Sequence, residues 1–248
     1  MLLILSKLNT PSLIHLFEIK TAMHQGMTKP LLCKGNDEQQ YVVKRLNAGL
    51  EGCIYEWVAS RIGRLFGINI PPSEQVWIDR ALFKYSNDLQ ITLGEGIGFA
   101  SRYHSSLSEI TFQQLKKVDK QTLLDLFVFD YWIKNDDRTL TENGGNPNLF
   151  QDVCSKELVV IDHNLAFDES FDVAAFKRTH VSSYLLPEPI ASISYESRMH
   201  KAVEALPDIL SEIPDEWLDD LAHPNQVLDK ITSQLMQYKQ EEFWETLR

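Results

Sequence analysis

The sequence predicts an α+β fold in two lobes. Its first part is strand-rich with a single helix, and its second part is helical with one small β-hairpin. Three observations predict this order. Short β-prone runs bounded by turn residues fill the chain up to about residue 104. One stretch, residues 51–66, breaks them with apolar spacing of helical period. Beyond about residue 105 the pattern is helical and punctuated by prolines, apart from two apolar runs facing each other across DVCSKE.

The elements follow in order. MLLILSKLNTPSLIHLF has no positive residue before its apolar run of five, and Lys7, Asn9 and Pro11 interrupt it; it is expected to be a first strand or packed arm, not a signal peptide. Residues 15–23 and 31–33 read as short strands joined by HQGMTKP. Gly35-Asn36-Asp37 is a turn signal, and Tyr41-Val42-Val43 is β-prone. In EGCIYEWVASRIGRLF, Ile54, Trp57, Val58, Ile62, Leu65 and Phe66 mark one helical face, and Gly67 stops the helix. Pro71-Pro72 ends the unit. QVWID and LQITL read as further strands, and GEGIGF at 94–99 as a turn or the connection between lobes. The first lobe is thus 1–104 and the second 105–248. TFQQLKK and TLLDLFVFDYWIKN read as helices, the second buried nearly all round. NLF and ELVVID form the hairpin, and helices follow from about 187 to the end.

Composition narrows the function classes. The 248 residues are 44% hydrophobic and 24% charged, as in ordinary globular chains. A net charge of −11 lacks the basic footprint of a nucleic-acid binder. Cys33, Cys53 and Cys154 form no CxxC pair, so neither a zinc knuckle nor a disulfide framework is indicated and a reducing, cytoplasmic setting is expected. No apolar run reaches membrane-spanning length. There is no G-x-x-x-x-G-K-[ST] loop, GEGIGF departs from G-x-G-x-x-G at Phe99, and the histidines form no H-x-x-x-H pair. His24 reads as a loop or packing residue, and Trp57, Trp132 and Trp217 as core.

The polar stretch KNDDRTLTENGGNPNLF leaves the most hydrophobic segment of the chain. Lys44 ends a predicted strand, and Glu56 lies inside the next helix. A strand lysine paired with a helix glutamate is the arrangement that holds nucleotide phosphates in kinases. Asp162 closes the apolar strand ELVVI, and Asn148 opens the strand opposite, so an amide oxygen and a carboxylate would lie side by side. Two hard oxygen ligands of this kind suit Mg²⁺ bound to a nucleotide. Asn148 is favoured over Asn146 by strand pairing. Asp137, on the loop leaving the buried helix, can take a hydroxyl proton, with Asp136 as its rival and Arg138 as a loop-stabilising or phosphate-pairing group. His163, beside Asp162, reads as a residue that orients the loop.

The order YVVK, YEWVASRIGRLFGINIPP, FVFDYWIKNDDR, NPNLF and VVIDHNLAF resembles the HipA-like kinases, bacterial serine/threonine kinases with a two-lobed, protein-kinase-like fold. The resemblance spans about residues 24 to 170. It implies an ATP- and Mg²⁺-dependent phosphotransferase acting on a protein serine or threonine. It implies Lys44 as the ATP-binding lysine, Glu56 as its partner, Asp137 as the catalytic aspartate, and Asn148 and Asp162 as metal ligands. HQGMTKP takes the place of the phosphate-binding loop, with Gly26 and Thr28 as its ATP-binding candidates; Thr28 is its only hydroxyl, and autophosphorylation is left open. TLTENGG lengthens the segment between the catalytic aspartate and the metal-binding asparagine, so Asn143, Asn146 and Asn148 all remain candidates. Fuller family members carry an N-terminal subdomain that engages an antitoxin, and an antitoxin partner is left open here. The alternatives are a small-molecule or lipid-type kinase and a non-catalytic nucleotide-binding or interaction module.

Overall fold

The strands are β1 (Ile14–Ala22), β2 (Leu31–Gly35), β3 (Gln40–Lys44), β4 (Ser73–Ile78) and β5 (Gly96–Arg102). In the computed structural model, which describes residues 13–22, 30–84, 86–185 and 192–247, they close into a barrel in the order β1-β2-β3-β5-β4. Antiparallel pairs make most of the wall, and a short parallel contact between β1 and β4, Ile14 opposite Val76, completes it. Closure leaves no free sheet edge, and Leu16, Leu31, Tyr41, Val43, Val76 and Ile78 fill the interior. Lys44 is the last residue of β3, opposite Phe99 of β5. His24, Gly26 and Thr28 lie outside the described residues.

Helix α1 (Leu50–Phe66) ends where the sequence indicates, with Gly67 in the left-handed conformation (φ 105°) returning its N–H to Gly63 and Arg64. It is buried around most of its circumference. The barrel covers one side, and the C-terminal helices α6 (Ser192–Glu204), α7 (Leu206–Ser211) and α8 (Asp215–Asp219) cover the other. Its apolar residues therefore share one large core with α4 (Lys120–Trp132) and the helices after it, while the barrel interior forms a second, smaller core.

Two expectations for the first part need correction. LQITL is not a strand; it lies in the short helix α2 (Asn87–Thr92), capped by Ser86 accepting from the Leu89 N–H at 3.4 Å. A short apolar run cannot by itself be told from a helical one, and here the side-chain cap decides. GEGIGF is only partly a turn: Gly94 and Glu95 turn the chain, and from Gly96 it becomes β5, between β3 and β4.

In the second part, α3 (Phe112–Leu115) precedes α4, which is buried nearly all round as expected. The hairpin is β7 (Leu149–Asp152) and β8 (Leu158–Val160), with Leu149 opposite Val160. This register sets Asn148 beside Ile161, whose N–H reaches the Asn148 carbonyl at 3.1 Å. A third strand, β6 (Leu107–Glu109), and a helix, α5 (Val173–Thr179), gave no clear signal in the sequence. Helices α9 (Pro224–Met236) and α10 (Glu241–Leu247) complete the chain. No described helix is long and apolar enough to cross a membrane.

Phe66 joins the large core across three helices. Its ring lies 5.7 Å from those of Phe129 and Trp132 in α4 and 6.1 Å from that of Tyr195 in α6. Phe66→Ala is expected to cost about 3–5 kcal/mol, read as a lowered denaturant midpoint with an unchanged slope. A loss under about 1 kcal/mol would mean that this contact does not join the helices.

Candidate active site

Burial without a partner is costly for a charge, so a buried lysine points to its partners. Lys44 is 5% exposed, and its Nζ lies 2.5 Å from Glu56 Oε1, 2.7 Å from Asp162 Oδ1 and 3.4 Å from Asn164 Oδ1. Strand β3, helix α1 and the segment after β8 thus meet on one ammonium. Burial alone would lower the Lys44 pKa, but the charges of Glu56 and Asp162 hold it well above the ordinary lysine range. Burial would likewise raise Glu56; Lys44, and then His163, bring it down to about 2.

Asp137 lies on the loop after α4. Its Oδ2 accepts from Asn146 Nδ2 at 2.8 Å and from Asn148 Nδ2 at 3.0 Å. Burial raises its pKa, as does the charge of Asp162, against the pull of the two amides. Asp136 is also half-buried, with its pKa raised by burial and by Asp168. TLTENGG forms a small hairpin of its own: Thr139 N–H meets the Asn146 carbonyl at 2.8 Å, and Thr141 and Gly144 pair at the tip. Asn143 sits at that exposed tip, while Asn146 and Asn148 turn back towards Asp137.

Arg138 is fully buried and points away from the cavity side of the loop, into a polar network. It pairs with Asp130 of α4 at 2.7 Å and donates to the carbonyls of Asn148 at 2.5 Å and Ile161 at 3.0 Å. Its Nη2 lies 3.2 Å from His163 Nε2, and His163 Nδ1 lies 3.8 Å from Glu56 Oε2. A nitrogen facing a guanidinium acts as acceptor, which puts the N–H of His163 on Nδ1, on the side of Glu56. Asp130 is further held by Asn135 and by His180 Nε2 at 3.0 Å. Burial would raise Asp130, yet Arg138 and His180 keep it well below the usual carboxylate range. Burial lowers the His180 pKa. Asp130, Asn164 and His180 were missed in the sequence. Asp130, the one charged residue in the otherwise apolar LFVFDYWI, was a usable signal; His180 had none.

Part of this network lines a cavity of about 440 Å³; Asp137, Arg138, Asp130 and His180 lie outside its lining, Asp137 reaching it through Asn146 and Asn148. Lys44, Glu56, Asn146, Asn148, Asp162 and His163 line its polar end. Val42, Ile70, Phe99, Leu107 and Ile161 form apolar walls beside the segment 101–104, which sequence reasoning had not placed in the site. Asn148 (φ 43°) and Asp162 (φ 62°) both adopt the left-handed conformation without being glycine, a strain that persists where surrounding contacts fix it. A larger cavity, about 580 Å³, lies behind the β7–β8 hairpin and holds none of the candidate residues. The oxygen donors of Asp162 and Asn148 fit a hard divalent cation. Among the described residues no group of three or more His, Cys, Asp or Glu could hold a metal by itself, so a cation here would share its coordination with phosphate and water.

The sequence profile of the HipA-like kinases matches residues 16–247, nearly the whole chain. The chain belongs to the HipA-like kinase family. The crystal structure of the Helicobacter pylori proinflammatory kinase CtkA is similar, with a TM-score of 0.50 at 14% identity over 92% of both chains. That likeness shows a HipA-like chain in a kinase fold, strand-rich first and helical after. A Golgi casein kinase is similar at a TM-score of 0.49 and 14% identity over 94% of this chain and 72% of its own. The same kinase with Mn/ADP bound gives 0.47 and 13%, over 95% and 72%. No curated protein matches the chain in sequence.

The His180 network makes an acid-sensitivity prediction. Unfolded histidine takes up a proton near its ordinary pKa of 6.5, whereas folded His180, with its pKa lowered, resists. The unfolded state binds more protons, so this stability is present above that pH and is lost as pH falls. His180→Gln is expected to shrink the drop in melting temperature between about pH 7 and pH 5. An equal drop in variant and parent would show that His180 does not set the acid response.

Proposed function

We propose that the chain is an ATP- and Mg²⁺-dependent kinase that transfers the γ-phosphate to a serine or threonine hydroxyl of a protein. The observation that carries this reading is the convergence of Lys44, Glu56, Asn148 and Asp162, from four separate segments, on one cavity, with Asp137 hydrogen-bonded to Asn148 beside it. The two lobes, 1–104 and 105–248, would enclose the nucleotide, with the segment 101–104 connecting them. Adenine would rest against Val42, Ile70 and Ile161. Lys44, held by Glu56, would contact the phosphates. Asn148 meets Asp137 through Nδ2, which leaves Oδ1, with Asp162, to hold Mg²⁺. When bound, that ion supplies neutralising charge across the phosphates. Asp137 orients the acceptor hydroxyl and takes its proton as the oxygen attacks phosphorus; the bond to the β–γ bridging oxygen breaks, and ADP leaves.

Protein serine or threonine as acceptor rests on the family. The acidic chain supports a protein partner over nucleic acid, and three scattered free cysteines fit a reducing cytoplasm. Purified protein with γ-labelled ATP and Mg²⁺, with and without lysate, tests the reading. Label on protein supports it. Label confined to small molecules would favour a small-molecule or lipid-type kinase, and binding without transfer a non-catalytic module.

Lys44→Met keeps most of the packed stem but leaves Glu56 and Asp162 without their cation. It is expected to lower nucleotide affinity or turnover at least tenfold, read by calorimetry and transfer rate. An unchanged rate removes Lys44 from the mechanism.

Asp137→Asn should bind ATP–Mg²⁺ nearly normally yet transfer roughly 10²–10⁴-fold more slowly. Asp136→Asn should act mildly. The reverse pattern would exchange their roles.

A further inference from the structure

GEGIGF, whose glycines the proposed nucleotide site leaves unused, meets a helix from the far end of the chain. Gly96 has φ 128°, and a Cβ there would stand 2.0 Å from Glu216 Oε1 and 2.6 Å from Arg45 Nη2. The missing side chain is what admits Glu216 of α8. That carboxylate pairs with Arg45 at 2.7 Å and accepts from the Ile97 N–H of β5 at 3.0 Å. The next residue, Trp217, is fully buried and donates its indole N–H to the Ile97 carbonyl at 2.7 Å. Two adjacent residues of α8 thus grip both backbone polar groups of Ile97.

The same region holds α1. The rings of Trp217 and Trp57 meet edge to face at 6.5 Å, and the Trp57 indole N–H reaches the Ile209 carbonyl after the start of α7 at 3.1 Å. Arg61 lies over the Trp57 ring at 3.7 Å and pairs with Glu212 at 3.1 Å, while Gln75 of β4 donates to the Glu212 carbonyl at 2.5 Å. Arg45 directly follows Lys44, and Trp57 directly follows Glu56. We propose that Glu216 and Trp217 are positioning residues, which fix the separation of β3 and α1 and thereby hold Lys44 and Glu56 in contact for nucleotide binding. A helix bearing the glutamate of such a pair can otherwise rotate as a body, because few of its contacts are to the strand that carries the lysine. Here the C-terminal segment bridges the two from behind.

This inference rests on the proposed nucleotide site, and its test separates the two. The probe is ATP–Mg²⁺, titrated calorimetrically against the full chain, with a thermal melt to verify folding of each variant. Glu216→Ala, whose side chain is 32% exposed, is expected to fold and to weaken ATP–Mg²⁺ about five- to tenfold. Glu56→Gln alone should also weaken it. In the double variant, Glu216→Ala should add less than about twofold, because the clamp acts through Glu56; a merely structural effect would multiply in full. Trp217→Phe, which keeps the ring contact with Trp57 and loses the bond to Ile97, should fall between parent and Glu216→Ala. Full multiplication in the double variant, or an affinity within twofold of parent in Glu216→Ala, overturns the clamp and leaves the site reading standing. No effect of Glu56→Gln overturns both.

Discussion

The buried guanidinium of Arg138 is the interaction on which the candidate site depends. It cannot lose its charge, so every nitrogen it brings into the core needs a partner. It finds them in Asp130, in the carbonyls of Asn148 and Ile161, and in His163. Those four lie on α4, on the residue before β7, on the residue after β8, and beyond it. One planar fork therefore fixes the end of the buried helix against both strands of the hairpin. Asn148 and Asp162 are held in left-handed backbone on either side of this fork. Removing one partner of such a buried ion pair costs about 3–5 kcal/mol, so the fork resists any movement that would release either residue from its strained backbone.

A second constraint is charge balance in the cavity. Lys44 is one cation facing two carboxylates, with Asp137 a third nearby. A polyphosphate entering alone would meet excess negative charge. On the proposed reading the site is poised for a divalent cation, which would draw Asp162 from its sole service to Lys44 into shared coordination. The approach of His163 Nδ1 to Glu56, at 3.8 Å, matters here. It sets the Lys44–Glu56 pair beside Arg138, and so beside the loop that carries Asp137.

What was legible in the sequence was local. YVVK, the helix ending at Gly67, and the pairing of NLF with LVV each carry their own signal in turn residues, period and β-propensity, and the structure has them. LQITL failed because five alternating residues fit either period, and the serine before them was not weighed as a cap. GEGIGF departs from a phosphate-loop pattern and was read as a turn or the connection between lobes, although its glycines also suggest a close approach. The approach is real, but the partner is Glu216, some 120 positions later, and no local pattern announces such a contact. His180 on Asp130 and Glu216 on Arg45 belong to the same class. Both are long-range pairings of single polar residues, visible only when the chain is folded.

The choice among three asparagines shows how the two kinds of information combine. Sequence offered Asn143, Asn146 and Asn148, with a preference from strand pairing alone. The lengthened loop folds back as a small hairpin, which carries Asn143 to its exposed tip and returns Asn146 towards Asp137. Asn146 and Asn148 then place both amide groups on the same carboxylate oxygen, Oδ2. Two donors on one oxygen fix the plane of the carboxylate and offset part of the cost of its burial, leaving Oδ1 as the freer oxygen. The insertion that left three asparagines as candidates in the sequence thus returns, in the folded chain, a second amide to Asp137. A longer loop between these two residues need not loosen the site, provided that its ends are hydrogen-bonded to each other, and here Thr139 and Asn146 are.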